Sequence, residues 1–233
     1  MKTRKIDLRQ MIPSGGLLLV FIVFTLLVHF VDRAPIGPGG TYVGFAAVNQ
    51  WAQGIIGRQD LFYAITQILG YLGLLIVAFF GFVGLVQLIR GSFAGVHIRI
   101  WCLGVTYIIT GASYLLFEKL VINCRPVLMK GETFPEPSYP SSHTVLALVV
   151  FCTAVYTIGL VIKNARVVRV LTVILRGLAV VTEVLRLLSG IHWFTDIVGG
   201  LLLSGALIAF FIGSVRMLEP WWNDLQIQLT ERE

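Results

Sequence analysis

Arg186, His192 and Asp196 lie within one apolar stretch, "RLLSGIHWFTDIVGG", residues 186–200. His192 and Asp196 stand four residues apart, and on a helix that spacing puts them on one face. A carboxylate there accepts from one imidazole nitrogen, fixes the tautomer and leaves the other nitrogen as a base or nucleophile. Alone, the pair suits a structural contact or half of a metal site about as well.

A second group decides between these chemistries. Arg125-Pro126 is followed by a loop holding Pro135, Pro137 and Pro140, and then by "PSSH", residues 140–143, directly before an apolar run. Pro140 cannot continue a helix and Ser141 suits an N-cap, so Ser142 and His143 fall in the first turn of a helix. First-turn N–H groups lack intrahelical partners and carry the positive dipole end, which makes an anion site. Arginine forks match phosphate oxygens and repel a metal cation. An oriented histidine can attack phosphorus while a second protonates the leaving alkoxide, and donors around an anion stabilise the transferring group. Phosphate-ester hydrolysis is the reaction class of these parts.

The elements that must hold them are set by composition. The chain has 233 residues, 57% apolar and only 13% charged, with a mean hydropathy of +0.86. A soluble domain of that composition would expose too much apolar surface, whereas bilayer-facing helices require it. Apolar stretches of about 20 residues fall near residues 12–31, 64–89, 98–117, 144–162, 167–188 and 196–218. The expected fold is an all-α integral membrane bundle of six transmembrane helices. No composition shift divides it, so residues 1–233 are expected to form one membrane-embedded domain.

Basic residues orient the bundle. Lys2, Arg4, Lys5, Arg9, Arg90, Arg99, Lys163, Arg166, Arg169 and Arg216 all fall on one side of a six-span plan. That side is cytoplasmic, and both termini with it, which accounts for the net charge of +6 without nucleic acid. The first apolar run has Asp32 where a cleavage site needs a small residue, so an uncleaved span is expected. The outer side receives residues 32–60, residues 118–143 and the stretch around His192. In the first of these, Val43–Trp51 is expected to form a short amphipathic interfacial helix. Arg176 and Glu183 share a face of span five and are expected to point into the bundle. Cys102 and Cys152 read as small core residues and Cys124 as a free thiol, with neither a disulfide framework nor zinc spacing.

The motifs resemble those of the type 2 phosphatidic acid phosphatase superfamily of membrane lipid phosphatases. Its pattern runs K-x6-R-P, P-S-G-H, then S-R-x5-H-x3-D. This chain retains Arg125-Pro126, reads "PSSH" at 140–143, and keeps Arg186, His192 and Asp196 at the third motif's spacing. The resemblance implies that His192 attacks phosphorus to form a phosphohistidine, that Asp196 orients it and that His143 protonates the leaving group. It implies that Arg125 and Arg186 bind the phosphate, with Ser141 and Ser142 near the same anion, and that no metal or other cofactor takes part.

Three positions depart from the pattern. Glu118 stands where the motif has lysine and Lys119 is one residue late, a turn of about 100° on a helix; Lys119 therefore enters the phosphate set as its weakest member. Ser142 replaces the glycine and Leu185 the serine. The implied substrate is a lipid phosphate or diphosphate met at the extracytoplasmic face of the bilayer. Undecaprenyl diphosphate, phosphatidylglycerol phosphate and phosphatidic acid all fit, in a compact chain suited to a bacterial envelope and needing no protein partner. A phosphotransferase using the same phosphohistidine and a non-catalytic lipid-phosphate carrier are the competing readings.

Overall fold

The computed structural model describes residues 6–230, so Lys2, Arg4 and Lys5 of the orientation argument lie outside the described residues. The elements are α1 (Ile12–Phe30), α2 (Ala46–Ile56), α3 (Asp60–Gly95), α4 (Ile98–Lys119), α5 (Ser142–Thr157), α6 (Ala165–Leu188) and α7 (Phe194–Thr230). Among the described residues there is no strand, only the isolated bridges Ala34–Val43 and Cys124–Pro137.

Local chemistry sets the helix ends. The Asn164 side chain accepts from the N–H groups of Arg166 and Val167 and starts α6. The Ser189-Gly190 break ends it. Gly190 sits at φ +64°, and a Cβ there would collide with the Gly57 carbonyl, so the position demands glycine twice over.

A helix apolar on all sides must be surrounded, and α5 is the one at the centre. Val145, Ala147, Val149, Val150 and Phe151 are all buried, against α3, α6 and α7. α1 and α3 expose Leu19, Leu75 and Ile89 instead, as helices on a lipid-facing perimeter do. At the far end from the PSSH turn, Arg99 ties α4 to α7 with two hydrogen bonds to Glu219 at 2.9 and 3.1 Å.

Among the described residues, five helical stretches are long and apolar enough to cross a membrane: Leu8–Phe30, Asp60–Gly91, Ile98–Lys119, Ser142–Leu160 and Phe194–Leu225. α6 has 24 residues, a sufficient length, but carries Arg166, Arg169, Arg176, Glu183 and Arg186. Its inward stripe is Leu175, Ala179, Thr182 and Arg186, at helical spacing. Arg176 and Glu183 flank this stripe. Arg176 is exposed rather than inside the bundle, because the stripe beside it already fills the contact, while Glu183 is half-buried next to Thr144.

The short helix expected at 43–51 starts later, at Ala46. Val43 pairs with Ala34 and Phe45 adopts φ +46°, so the chain turns before the helix can begin. Asn49 and Ala52 face the protein, while Val48, Trp51 and Ile55 are exposed on the opposite face.

Candidate active site

The inward stripe of α6 ends at Arg186, which is fully buried. Its Nη1 donates to Thr66 Oγ1 of α3 at 3.1 Å. Its Nη2 lies 3.1 Å from His143 Nδ1 and 2.9 Å from His192 Nε2. A guanidinium has donors and no acceptor, so both imidazole nitrogens facing it carry lone pairs. The proton of His192 is then on Nδ1, which donates to the Ser138 carbonyl at 3.1 Å. The proton of His143 is on Nε2, which faces Gly70, where any side chain would crowd the ring. Burial, followed by the charges of Arg186 and Arg125, pushes the His192 imidazole well below its ordinary pKa and keeps it neutral.

Asp196 stands differently from the sequence expectation. His192 precedes α7 instead of lying on it, so the helical-face argument does not apply. Asp196 Oδ2 is 3.5 Å from His192 Nδ1, and the Ser138 carbonyl is nearer. The carboxylate is engaged elsewhere: Oδ2 accepts from the Trp193 N–H at 3.1 Å and Oδ1 from Asn123 Nδ2 at 3.2 Å. The first contact is the return half of a capping box at the start of α7. Asp196 therefore sits beside the imidazole as a charge while a backbone carbonyl fixes the tautomer.

Arg125 approaches from the α4–α5 loop. Its Nη2 pairs with Glu136 Oε2 at 2.9 Å, and its backbone N–H donates to the Glu136 carbonyl. Arg125 Nε and Nη1 and Arg186 Nε are buried donors with no protein partner. Buried donors are nearly always satisfied, so three of them around one site mark a place built for an acceptor.

The two serines separate. Ser142 lines the cavity described below. Ser141 is buried beneath it, and its N–H donates to the Asp196 carbonyl at 3.0 Å, so that donor is not free for an anion. Ser141 holds the N-cap position without a side-chain cap bond. Lys119 is exposed at the end of α4 and does not line the cavity, whereas Glu118 does. The rotation of one residue is the reason.

The cavity, about 630 Å³, opens between α3, α4 and α5 under the α4–α5 loop. Arg125, Ser142, His143 and His192 line its polar end, and Leu74, Val77, Leu146 and Val150 its apolar end. Other contributors escaped the sequence reading: Asn123, Ser138, Thr66 and Glu136. Glu136 alone carried a signal, as an acid inside the proline-rich loop. Ser138 acts through a carbonyl that every residue possesses.

Residues 99–219, just over half of the chain, match the family model of the PAP2 superfamily, and the protein belongs to that superfamily. In fold it is similar to the first transmembrane PAP2-type phosphatidylglycerolphosphate phosphatase from Bacillus subtilis, with a TM-score of 0.55 and 19% identity over 86% of this chain and 94% of that one. No curated protein matches it in sequence. Its apolar helices and this likeness make it a multi-pass membrane protein.

Proposed function

We propose that the protein is an integral membrane phosphatase that hydrolyses a lipid phosphate or diphosphate at the extracytoplasmic face through a phosphohistidine. One observation carries the reading: a neutral His192, a second histidine and unpartnered arginine donors meet at the polar end of a cavity whose other end is apolar. A phosphate headgroup suits the first end and an acyl or prenyl chain the second.

In the proposed cycle, Arg125 and Arg186 hold the phosphoryl oxygens, with the Ser142 end of α5 beside them. The His192 Nε2 lone pair forms a bond to phosphorus as the phosphorus–oxygen bond to the lipid breaks. With the phosphate bound and the Arg186 guanidinium turned to it, His143 takes a second proton on Nδ1 and, as the imidazolium, gives one proton to the departing oxygen. Water then attacks the phosphohistidine, breaking the nitrogen–phosphorus bond, leaving one of its protons on His143 and releasing inorganic phosphate. Asp196, beside Nδ1, stabilises the charge on the imidazole. These steps use side chains alone, with no metal or other cofactor.

The same reading assigns α6 as a further span, the fifth in chain order, with its Arg186 end buried in the bundle and its other arginines toward the cytoplasmic interface. α2 lies at the outer interface with Val48, Trp51 and Ile55 toward lipid. Both termini are cytoplasmic, and residues 1–233 act as one unit without an obligatory partner. Undecaprenyl diphosphate, phosphatidylglycerol phosphate and phosphatidic acid remain the substrate set.

The test is phosphate release from these three lipids in detergent, with and without chelator. The wild type is expected to release inorganic phosphate at the same rate in chelator and to be inhibited by vanadate. His192→Ala is expected to lose at least about a thousandfold in kcat. A strict divalent-metal requirement, or an active His192→Ala, would sink the mechanism. A phosphorylated acceptor in place of free phosphate would identify a transferase.

A further inference from the structure

The charges that line the cavity are unevenly matched to an anionic ligand. Among the described residues, the lining holds one permanent cation, Arg125, and two carboxylates, Glu118 and Glu136. Arg186 stands behind, its Nη2 against both histidines. Glu118 ends the face of α4 that runs along the cavity through Tyr107, Gly111 and Tyr114, at helical spacing. The Tyr114 hydroxyl is acted on by the charges of Glu118, Glu136 and Arg125 together, which puts all three at the polar end. Glu136 already takes Arg125 Nη2 at 2.9 Å, whereas Glu118 makes no ion pair among the described residues. Its place is locally unfavourable as well, because the C-terminal end of a helix carries the negative dipole end and prefers a cation. The one lysine beside it, Lys119, points away from the cavity.

Resting on the phosphatase reading, we infer that Glu118 is a specificity-determining residue: its carboxylate, seconded by Glu136, turns away a second phosphate and restricts the site to lipids that carry a single one. The vacant donors are Arg125 Nε and Nη1 and Arg186 Nε, three in all. They equal in number the three unesterified oxygens of one phosphoryl group. A lipid diphosphate brings a further phosphoryl group, with two more oxygens and at least one more negative charge, between the transferred phosphorus and the lipid. Its terminal group uses up the donors. The inner group then has to pass the polar end of the cavity, where α4 presents a carboxylate and no vacant cation remains in the lining to meet it. Like charges held close together near a protein surface cost about a factor of ten in binding. A repulsive group aimed at the wrong ligand discriminates as well as an attractive one aimed at the right ligand. The hydroxyls of Ser113 and Thr110, farther along the α4 wall, are neutral and suit the ester oxygens of a monophosphate lipid.

The experiment uses the full-length protein in detergent with a matched pair of lipids, dioleoyl phosphatidic acid and dioleoylglycerol diphosphate, which differ by one phosphate. Initial release of the terminal phosphate is followed at a pH where both lipids are fully ionised. Wild-type kcat/KM is expected to be at least about tenfold higher on the monophosphate. Glu118→Lys is expected to shift that ratio toward the diphosphate by about tenfold or more, and Glu118→Gln by about threefold. Raising the salt from about 20 to about 500 mM is expected to narrow the wild-type preference more than that of Glu118→Lys, because screening weakens a repulsion between charges. A purely structural role of Glu118 would move neither the ratio nor its salt dependence. Glu118→Gln removes the charge and keeps the shape, so it decides the matter should the lysine variant fail to fold. A wild type that cleaves dioleoylglycerol diphosphate or undecaprenyl diphosphate as well as it cleaves monophosphates, or a Glu118→Gln with the wild-type ratio, would overturn the inference. A wild type that releases no phosphate from any of these lipids or from phosphatidylglycerol phosphate would overturn the phosphatase reading instead.

Discussion

At the scale of single residues, the site is governed by competition for arginine donors. Glu136 engages Arg125 Nη2 from a half-exposed position, while Nε and Nη1 of the same guanidinium lie buried without partners. An incoming phosphate meets one fork already shared with a carboxylate. Glu136→Gln removes that competitor's charge and keeps its shape, so the inhibition constant of vanadate is expected to fall about three- to tenfold; an unchanged constant would show that Glu136 only shapes the loop. The neutral state of His192 makes a second expectation. Its pKa is lowered, so the neutral imidazole that the proposed mechanism requires persists as pH falls through the ordinary imidazole value of about 6.5. Corrected for the substrate's own ionisation, kcat/KM is expected to show no acidic decline centred at or above that value. Such a decline would mean that His192 is protonated in the free enzyme.

At the scale of elements, the site depends on close approaches that only small residues permit. A Cβ on Gly199 would stand 2.5 Å from Tyr139 Cε2, and one on Gly200 2.6 Å from Thr144 Cγ2. The first turns of α7 thus lie directly against the segment that carries Ser138 and the PSSH turn. Gly199→Ala is expected to shift Tyr139 and the adjoining Ser138 carbonyl. The expected cost is about 1–3 kcal/mol in stability and a fall of at least about tenfold in kcat, measured together by thermal unfolding and phosphate release. Wild-type values for both would refute the packing argument. The same elements show what was legible beforehand. Six helices start within four residues of where the apolar runs placed them, but α3 continues to Gly95 and α7 to Thr230, past the expected 89 and 218, because a helix can run on beyond its apolar stretch. Arg125, His143, Arg186 and His192 were legible because charge in an apolar run is costly. Lys119 stands away from the cavity by the one residue of helical rotation that its spacing indicated, while Glu118 lines it. Asn123 and the Ser138 carbonyl left no trace, since a buried amide and a peptide oxygen are recognised only through what folds against them. The expected Asp196–His192 hydrogen bond failed for a related reason: the spacing was right, but the helix begins after His192.

At the scale of the whole molecule, the proposed orientation makes one simple demand. Thr133, in the loop above the cavity, and Lys163, between α5 and α6, are both exposed and lie on opposite ends of α5. In a cysteine-free background, Thr133→Cys is expected to react with a membrane-impermeant maleimide in intact cells, and Lys163→Cys only after the membrane is opened. The reverse pattern would invert the protein and place its cavity on the cytoplasmic side. The fold also decides how the site behaves between turnovers. The Nη2 group of Arg186 rests on the lone pairs of both histidines at once. On the proposed mechanism, the empty site keeps its nucleophile latched and the key to the latch is charge: an anion that draws the guanidinium toward itself uncovers Nε2. A neutral lipid in the apolar limb would then leave the lock closed, and discrimination against unphosphorylated lipids would begin before any bond is made or broken.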